Sequence, residues 1–158
     1  MKSLVSKLSV RLIFKHLKLV TVESCTGGLM GKVMTDIAGS SDWYEAGFIT
    51  YSNRAKNELV NVPETLIDHY GAVSIEVAEA MVKGAAMQFA DCVCVSVTGI
   101  AGPGGGTPDK PVGTVCIACL YSSELKTRKF NFAGNRDDIR KQTVQQALEM
   151  LLSMDLKK

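Results

Sequence analysis

The chain has 158 residues, 46% hydrophobic and 22% charged, with a formal net charge of +2. That is enough apolar material for one packed domain over residues 1–158, and too little positive charge to argue for nucleic acid or an acidic membrane surface as partner. No apolar run approaches the ~18–20 residues of a membrane span. Lys7, Arg11, Lys15 and His16 interrupt the N-terminus where a signal peptide would be continuously apolar, so a cytoplasmic address is expected. Leu4, Val5, Leu8, Leu12 and Ile13 form a helical stripe over 3–17. Leu19 to Glu23 reads as a strand. Leu29, Met30, Val33, Met34 and Ile37 predict a helix over 28–37, with Gly39 as its stop. A second strand is expected at Phe48 to Tyr51 and a short helix at Asn53 to Val60, ended before Pro63. Ser74 is the expected N-cap of a long helix whose face is Ile75, Ala78, Met81, Val82, Ala85 and Phe89. Cys92 to Val97 reads as a buried strand, Gly99 to Gly113 as a loop, and Gly113 to Tyr121 with Lys126 to Phe132 as a hairpin turning at Ser122-Ser123. Asp137 and Asp138 open a last helix with the stripe Val144, Ala147, Leu148, Leu151 and Leu152; Lys157 and Lys158 suit its negative end. Alternating helices and strands, closed by two strands in succession, predict a three-layer α/β/α sandwich on a mixed, mostly parallel sheet with one antiparallel strand.

Three loops follow predicted strands: Ser24-Cys25-Thr26-Gly27-Gly28, Thr50 to Lys56, and the glycine-rich Thr98 to Gly106. In an open α/β sheet such loops converge at the carboxyl ends of the strands, where ligands bind. The glycine-rich loop is neither a Walker A nor a G-x-G-x-x-G sequence, because Thr107 occupies the last glycine position. Its glycines suit close backbone approach to a ligand; the alternative is a plain surface turn. Ser24 reads either as an N-cap, a job Thr26 could also do, or as a nucleophile; Cys25 beside it is the intrinsically better nucleophile. His16 and His69 are the only histidines and neither is placed to serve these groups, so a base for Ser24 must be a lysine, tyrosine or carboxylate. Lys56 is the candidate, near a positive helix end that favours the neutral amine; a solvated surface lysine is the bland alternative. Five cysteines, an odd count without an export signal, argue against a disulfide framework. Cys92, Cys94, Cys116 and Cys119 have zinc-like spacing but sit in strand-like runs, which favours buried thiols over a metal site.

Five motifs stand in order along the chain: Glu-Ser-Cys-Thr-Gly-Gly from Glu23, Tyr-Ser-Asn-x-x-Lys from Tyr51, Gly-Ala-Val-Ser from Gly71, Thr-Gly-Ile-Ala-Gly-Pro-x-Gly-Gly from Thr98 and Lys-Pro-Val-Gly-Thr-Val from Lys110. In this combination the chain resembles the CinA C-terminal domain family over nearly its whole length. The resemblance implies the same α/β/α sandwich. It also implies hydrolysis of nicotinamide mononucleotide to nicotinic acid mononucleotide and ammonia, with Ser24 as nucleophile and Lys56 and Tyr51 as helpers. No cofactor or metal is called for. Thr98 opens the third matching loop and is expected to line the same pocket. Around Thr26, Gly27 and Gly28, main-chain N–H groups are expected to hold the oxyanion. The phosphate is expected on the glycine-rich loop, through Gly99, Gly102 and Gly105, or on Arg136 or Arg140, which a neighbouring subunit of a homo-oligomer could supply. Glu23, if close to Lys56, would work against a neutral amine. Longer members carry an N-terminal domain linked to ADP-ribose pyrophosphatase activity; the chain is too short for it, so that activity is expected to be absent. Asn135 departs from the acid frequent at that position, and Asn61-Val62-Pro63 from the usual Leu-Gly-Val. Two other readings stand beside the amidase: a non-catalytic pyridine-nucleotide-binding or regulatory paralogue, and a cysteine-based redox or zinc protein.

Overall fold

The elements, in a computed structural model that describes residues 1–156, are α1 (Lys2–Lys15), β1 (Leu19–Glu23), α2 (Leu29–Thr35), β2 (Tyr44–Ile49), α3 (Asn53–Val60), α4 (Glu64–Tyr70), α5 (Ile75–Gln88), β3 (Val93–Gly99), β4 (Thr114–Tyr121), β5 (Glu124–Asn131) and α6 (Arg136–Ser153). The strands form one sheet in the order β2-β1-β3-β4-β5. β1 pairs in parallel with both β2 and β3, and β4 runs antiparallel between β3 and β5, so it is the one reversed strand. Alternation along the buried strands divides the core. Leu19, Val93, Val95, Val97, Val115 and Ile117 face a layer with α1, α2 and α6; Val20, Val22, Cys94, Cys116 and Ala118 face a layer with α3, α4 and α5. This is the predicted three-layer α/β/α arrangement. Cys119 points to the α6 side while Cys94 and Cys116 point to the α5 side, so the four thiols with zinc-like spacing cannot meet on one ion. All five cysteines are free thiols. No described helix is long and apolar enough to cross a membrane.

The differences from the sequence reading have local causes. β2 is an edge strand with alternating exposure, starts at Tyr44 and ends at Ile49, so Tyr51 lies beyond it rather than at its end. α4 was not expected: it follows Pro63 and buries only Ile67, too little for a stripe. α2 stops at Thr35, with Asp36 as C-cap, leaving Ile37 outside. On α5, Val77 is buried where Ile75 was expected, and Ile75 is exposed; Ser74 caps the helix by accepting from the Val77 N–H. α6 begins at Arg136 because Asn135 accepts from the N–H groups of Asp137 and Asp138 while the Asp138 carboxylate accepts from the Asn135 N–H, a reciprocal capping box. The expected cationic end at Lys157 and Lys158 lies outside the described residues.

α3 and α5 cross at Gly84, where a Cβ would stand 1.7 Å from the Val60 carbonyl oxygen. Gly84→Ala therefore has to push the two helices apart. A destabilisation of about 3 kcal/mol and a fall in Tm of roughly 6–12 °C are expected by calorimetry.

Candidate active site

The strand order 2-1-3 places a switch point at the carboxyl ends of β1 and β3. A cleft of about 220 Å³ opens there, lined by Ser24 and Cys25 after β1, Tyr51, Asn53 and Lys56 at the start of α3, Thr98 and Gly99 at the end of β3, and Arg136 at the start of α6. A larger hollow of about 560 Å³, lined by His16, Asp91, Tyr121 and Ser122, contains none of these groups.

Lys56 is 1% exposed. It owes its place to α3, which Ser52 caps by accepting from the Ala55 N–H and which Asn61 ends in the left-handed region at φ 54°. Its Nζ donates to Ser24 Oγ at 3.0 Å, to the Thr50 carbonyl at 2.9 Å and to the Tyr51 carbonyl at 3.4 Å. The Thr50 N–H donates to the Glu23 carbonyl, which fixes that strand end against β1. Burial lowers the lysine's pKa from its ordinary value, and the neighbouring Cys25 thiol opposes this to a lesser degree. No carboxylate lines the cleft among the described residues. Glu23 does not weigh on Lys56, because its carboxylate is spent on α2: it accepts from the N–H groups of Gly28, Met30 and Gly31 and from the Thr26 hydroxyl. Burial also pushes the Cys25 thiol up to about 12.

The remaining sequence candidates fall into two groups. Thr98 and Gly99 line the cleft, and the Thr98 hydroxyl donates to the Ala72 carbonyl. Arg136 lies across the cleft mouth, donating to the Tyr51 hydroxyl at 3.0 Å and the Gly102 carbonyl at 2.7 Å, and so bridges the second and third loops. Tyr51 meets Lys56 through its carbonyl, while the residue is 57% exposed and its phenol is bound to Arg136, so Lys56 reaches Ser24 without a phenol between them. In the second group, the Thr26 side chain and the glycine donors are directed away from the cleft. The Thr26 side chain is fully buried against Glu23, and the Gly27 and Gly28 N–H groups are taken by the Ser24 carbonyl and the Glu23 carboxylate, so neither glycine has a donor to offer an oxyanion. Arg140 donates to the Thr26 carbonyl and is not part of the cleft lining; Gly105 is also outside it. Neither Ser24 nor Thr26 caps α2, whose N-cap is Gly28 in the left-handed region without a side-chain bond. Asn53, Ala72 and Val73, which line the cleft, belong to the quoted motifs but were not selected from sequence. In sequence, Asn53 is the first residue of a helix, and Ala72 and Val73 precede the Ser74 cap, so nothing in their residue types marks them.

The sequence profile of the CinA C-terminal domain matches residues 1–154. The chain belongs to the CinA C-terminal domain family. Among relatives of this family, a nicotinamide-nucleotide amidohydrolase PncC of Pseudomonas putida is 44% identical over 152 residues, covering 96% of this chain and 95% of its own. A CinA-like protein of Akkermansia muciniphila is 48% identical over 87% of this chain but only 34% of its own length, so the chain spans about a third of the CinA-like relatives it matches. The CinA fold recurs in a crystal structure of the competence/damage inducible protein CihA from Agrobacterium tumefaciens, with a TM-score of 0.94 and 38% identity over 96% of this chain and 93% of that one. A CinA superfamily protein from Escherichia coli gives 0.91 and 36%, over 96% and 88%.

Proposed function

We propose that this CinA domain is an amidohydrolase that converts nicotinamide mononucleotide to nicotinic acid mononucleotide and ammonia. The observation that carries the reading is the buried Lys56 amine 3.0 Å from Ser24 Oγ with no carboxylate lining the cleft. A lysine buried without a counter-charge is held toward its neutral form, and a neutral amine is what a serine needs as base. The full-length likeness to a protein named for this reaction supports the same choice. Ser24 Oγ attacks the carboxamide carbon and Lys56 takes the hydroxyl proton. Collapse of the tetrahedral intermediate breaks the C–N bond, and Lys56 returns the proton to the departing amine, which leaves as ammonia. Water, deprotonated by Lys56, then attacks the nicotinoyl ester and frees Ser24. The pyridinium of the substrate disfavours a second cation nearby, which keeps the lysine neutral while substrate is bound.

Arg136 is assigned to the phosphate. It is exposed at the cleft mouth, and its bonds to Tyr51 and Gly102 leave guanidinium donors over. In a coupled ammonia assay over a panel of pyridine nucleotides, the mononucleotide is expected to be hydrolysed and nicotinamide riboside, without phosphate, to show a kcat/KM lower by about ten- to a hundredfold. Arg136→Ala is expected to raise KM for the mononucleotide and leave the riboside unchanged. Tight binding of the mononucleotide with no ammonia released would sink the reading and make the domain a binding module.

A further inference from the structure

The turn that carries Ser24 leaves few main-chain donors uncommitted. The Ser24 N–H donates to the Val97 carbonyl, that of Gly27 to the Ser24 carbonyl, and that of Leu29 to the Thr26 carbonyl. Those of Gly28, Met30 and Gly31 donate to the Glu23 carboxylate at 3.0, 3.0 and 2.8 Å. In this stretch no carbonyl or carboxylate of the described residues accepts from the N–H groups of Cys25 and Thr26, and the Cys25 N–H has only its own thiol against it. Unpaired donors at a buried turn are costly unless a ligand or water uses them, and Cys25 lines the cleft beside Ser24.

Glu23 produces this arrangement. It is the last residue of β1 and 2% exposed, and its charge is tolerated because four donors and the positive end of α2 surround it. α2 has no side-chain cap from a residue at its own N-terminus, so this carboxylate stands in for one across five to eight residues of chain. The packing leaves little room for adjustment: a Cβ on Gly31 would stand 3.0 Å from Tyr44 Oη and 3.6 Å from Glu23 Oε1. Thr26 is held by its hydroxyl on Glu23 and by its carbonyl on Arg140.

We propose that Glu23 is a positioning residue for this site: by gathering the Thr26 hydroxyl and the N–H groups of Gly28, Met30 and Gly31, it sets the turn so that the Cys25 and Thr26 N–H groups receive the oxyanion. The proposal rests on the reading of Ser24 as the amide-attacking nucleophile. Phosphonylation by a fluorophosphonate tests it, since that reaction uses the same nucleophile and the same oxygen-binding donors. The phosphoryl oxygen takes the oxyanion's place, Ser24 Oγ forms the P–O bond and fluoride leaves. Labelling of the Ser24 peptide is followed by mass spectrometry, with Ser24→Ala as blank, at a temperature well below each variant's Tm. Glu23→Gln keeps the shape but sets an amide NH2 against N–H donors. Its limiting labelling rate is expected to fall at least about tenfold, with an unchanged half-saturating probe concentration, and ammonia release to fall in kcat rather than KM. Thr26→Val keeps the branched shape and removes one donor to Glu23. Its rate is expected to fall about threefold, which serves if Glu23→Gln does not fold. Parental labelling in folded Glu23→Gln, or in Thr26→Val where the former fails to fold, overturns the proposal and leaves the amidase reading standing. A parent protein that neither labels at Ser24 nor releases ammonia overturns the amidase reading, and this proposal with it.

Discussion

Ser24→Ala is expected to lower ammonia release from nicotinamide mononucleotide by at least about a thousandfold, because it removes the atom that forms the ester intermediate. Cys25→Ala is the necessary companion. From residue types alone the thiol is the stronger nucleophile, and it lines the same cleft. Its surroundings decide against it: the side chain is 7% exposed, and burial pushes its pKa up to about 12, so almost none is thiolate at neutral pH. Lys56 donates to Ser24 Oγ and to the Thr50 and Tyr51 carbonyls, not to the thiol. Cys25→Ala is therefore expected to keep its rate within about tenfold of the parent. The coupled ammonia assay reads both variants, and a dead Cys25→Ala beside an active Ser24→Ala would exchange the two roles.

Lys56→Met is expected to be nearly as damaging, with a loss of at least about a thousandfold, since general-base help and proton return to the leaving amine are removed together. The pH profile carries the more specific test. A base must be neutral to act, so the parent's rate rises with pH as Lys56 loses its proton. Because burial lowers the folded-state pKa, that rise falls at lower pH than an exposed lysine would give. The remaining activity of Lys56→Met is expected to lack this limb. If it keeps the parent's limb, another group is the base.

Stability follows the same proton. Between the lowered folded pKa and the ordinary lysine value of 10.5, the unfolded chain binds the proton and the folded chain does not. Parent stability therefore rises with pH across that window relative to Lys56→Met, by at most about 1.4 kcal/mol per pH unit. As pH falls through the folded pKa the advantage is lost. Urea unfolding of both proteins at pH 7 and pH 10 measures the difference.

The sequence determined the layers and their contents. β1 and α3 have the bounds that periodicity and caps predict, and the alternation inside β1, β3 and β4 already separates the two faces of the core. Such patterns are legible because each repeats over neighbouring residues, and burial of one face is a local demand on the chain. α4 escaped for the opposite reason, with Ile67 as its one buried residue. The motifs also marked Ser24 and Lys56 as residues of one family site. Only the tertiary structure decided what lies between them. Their contact joins residues 32 positions apart, and it forms because the Thr50 main chain is paired to Glu23 and delivers α3 to the end of β1. From sequence, Glu23 stands as an opponent of Lys56 if close to it, and the oxyanion is expected on the N–H groups around Thr26, Gly27 and Gly28. In the folded protein the carboxylate turns to α2 and takes the Gly28 donor for itself. Capping patterns in sequence look for a short polar side chain beside the first helical turn. A strand-end glutamate reaching over that turn becomes a cap only when packing brings strand and helix together.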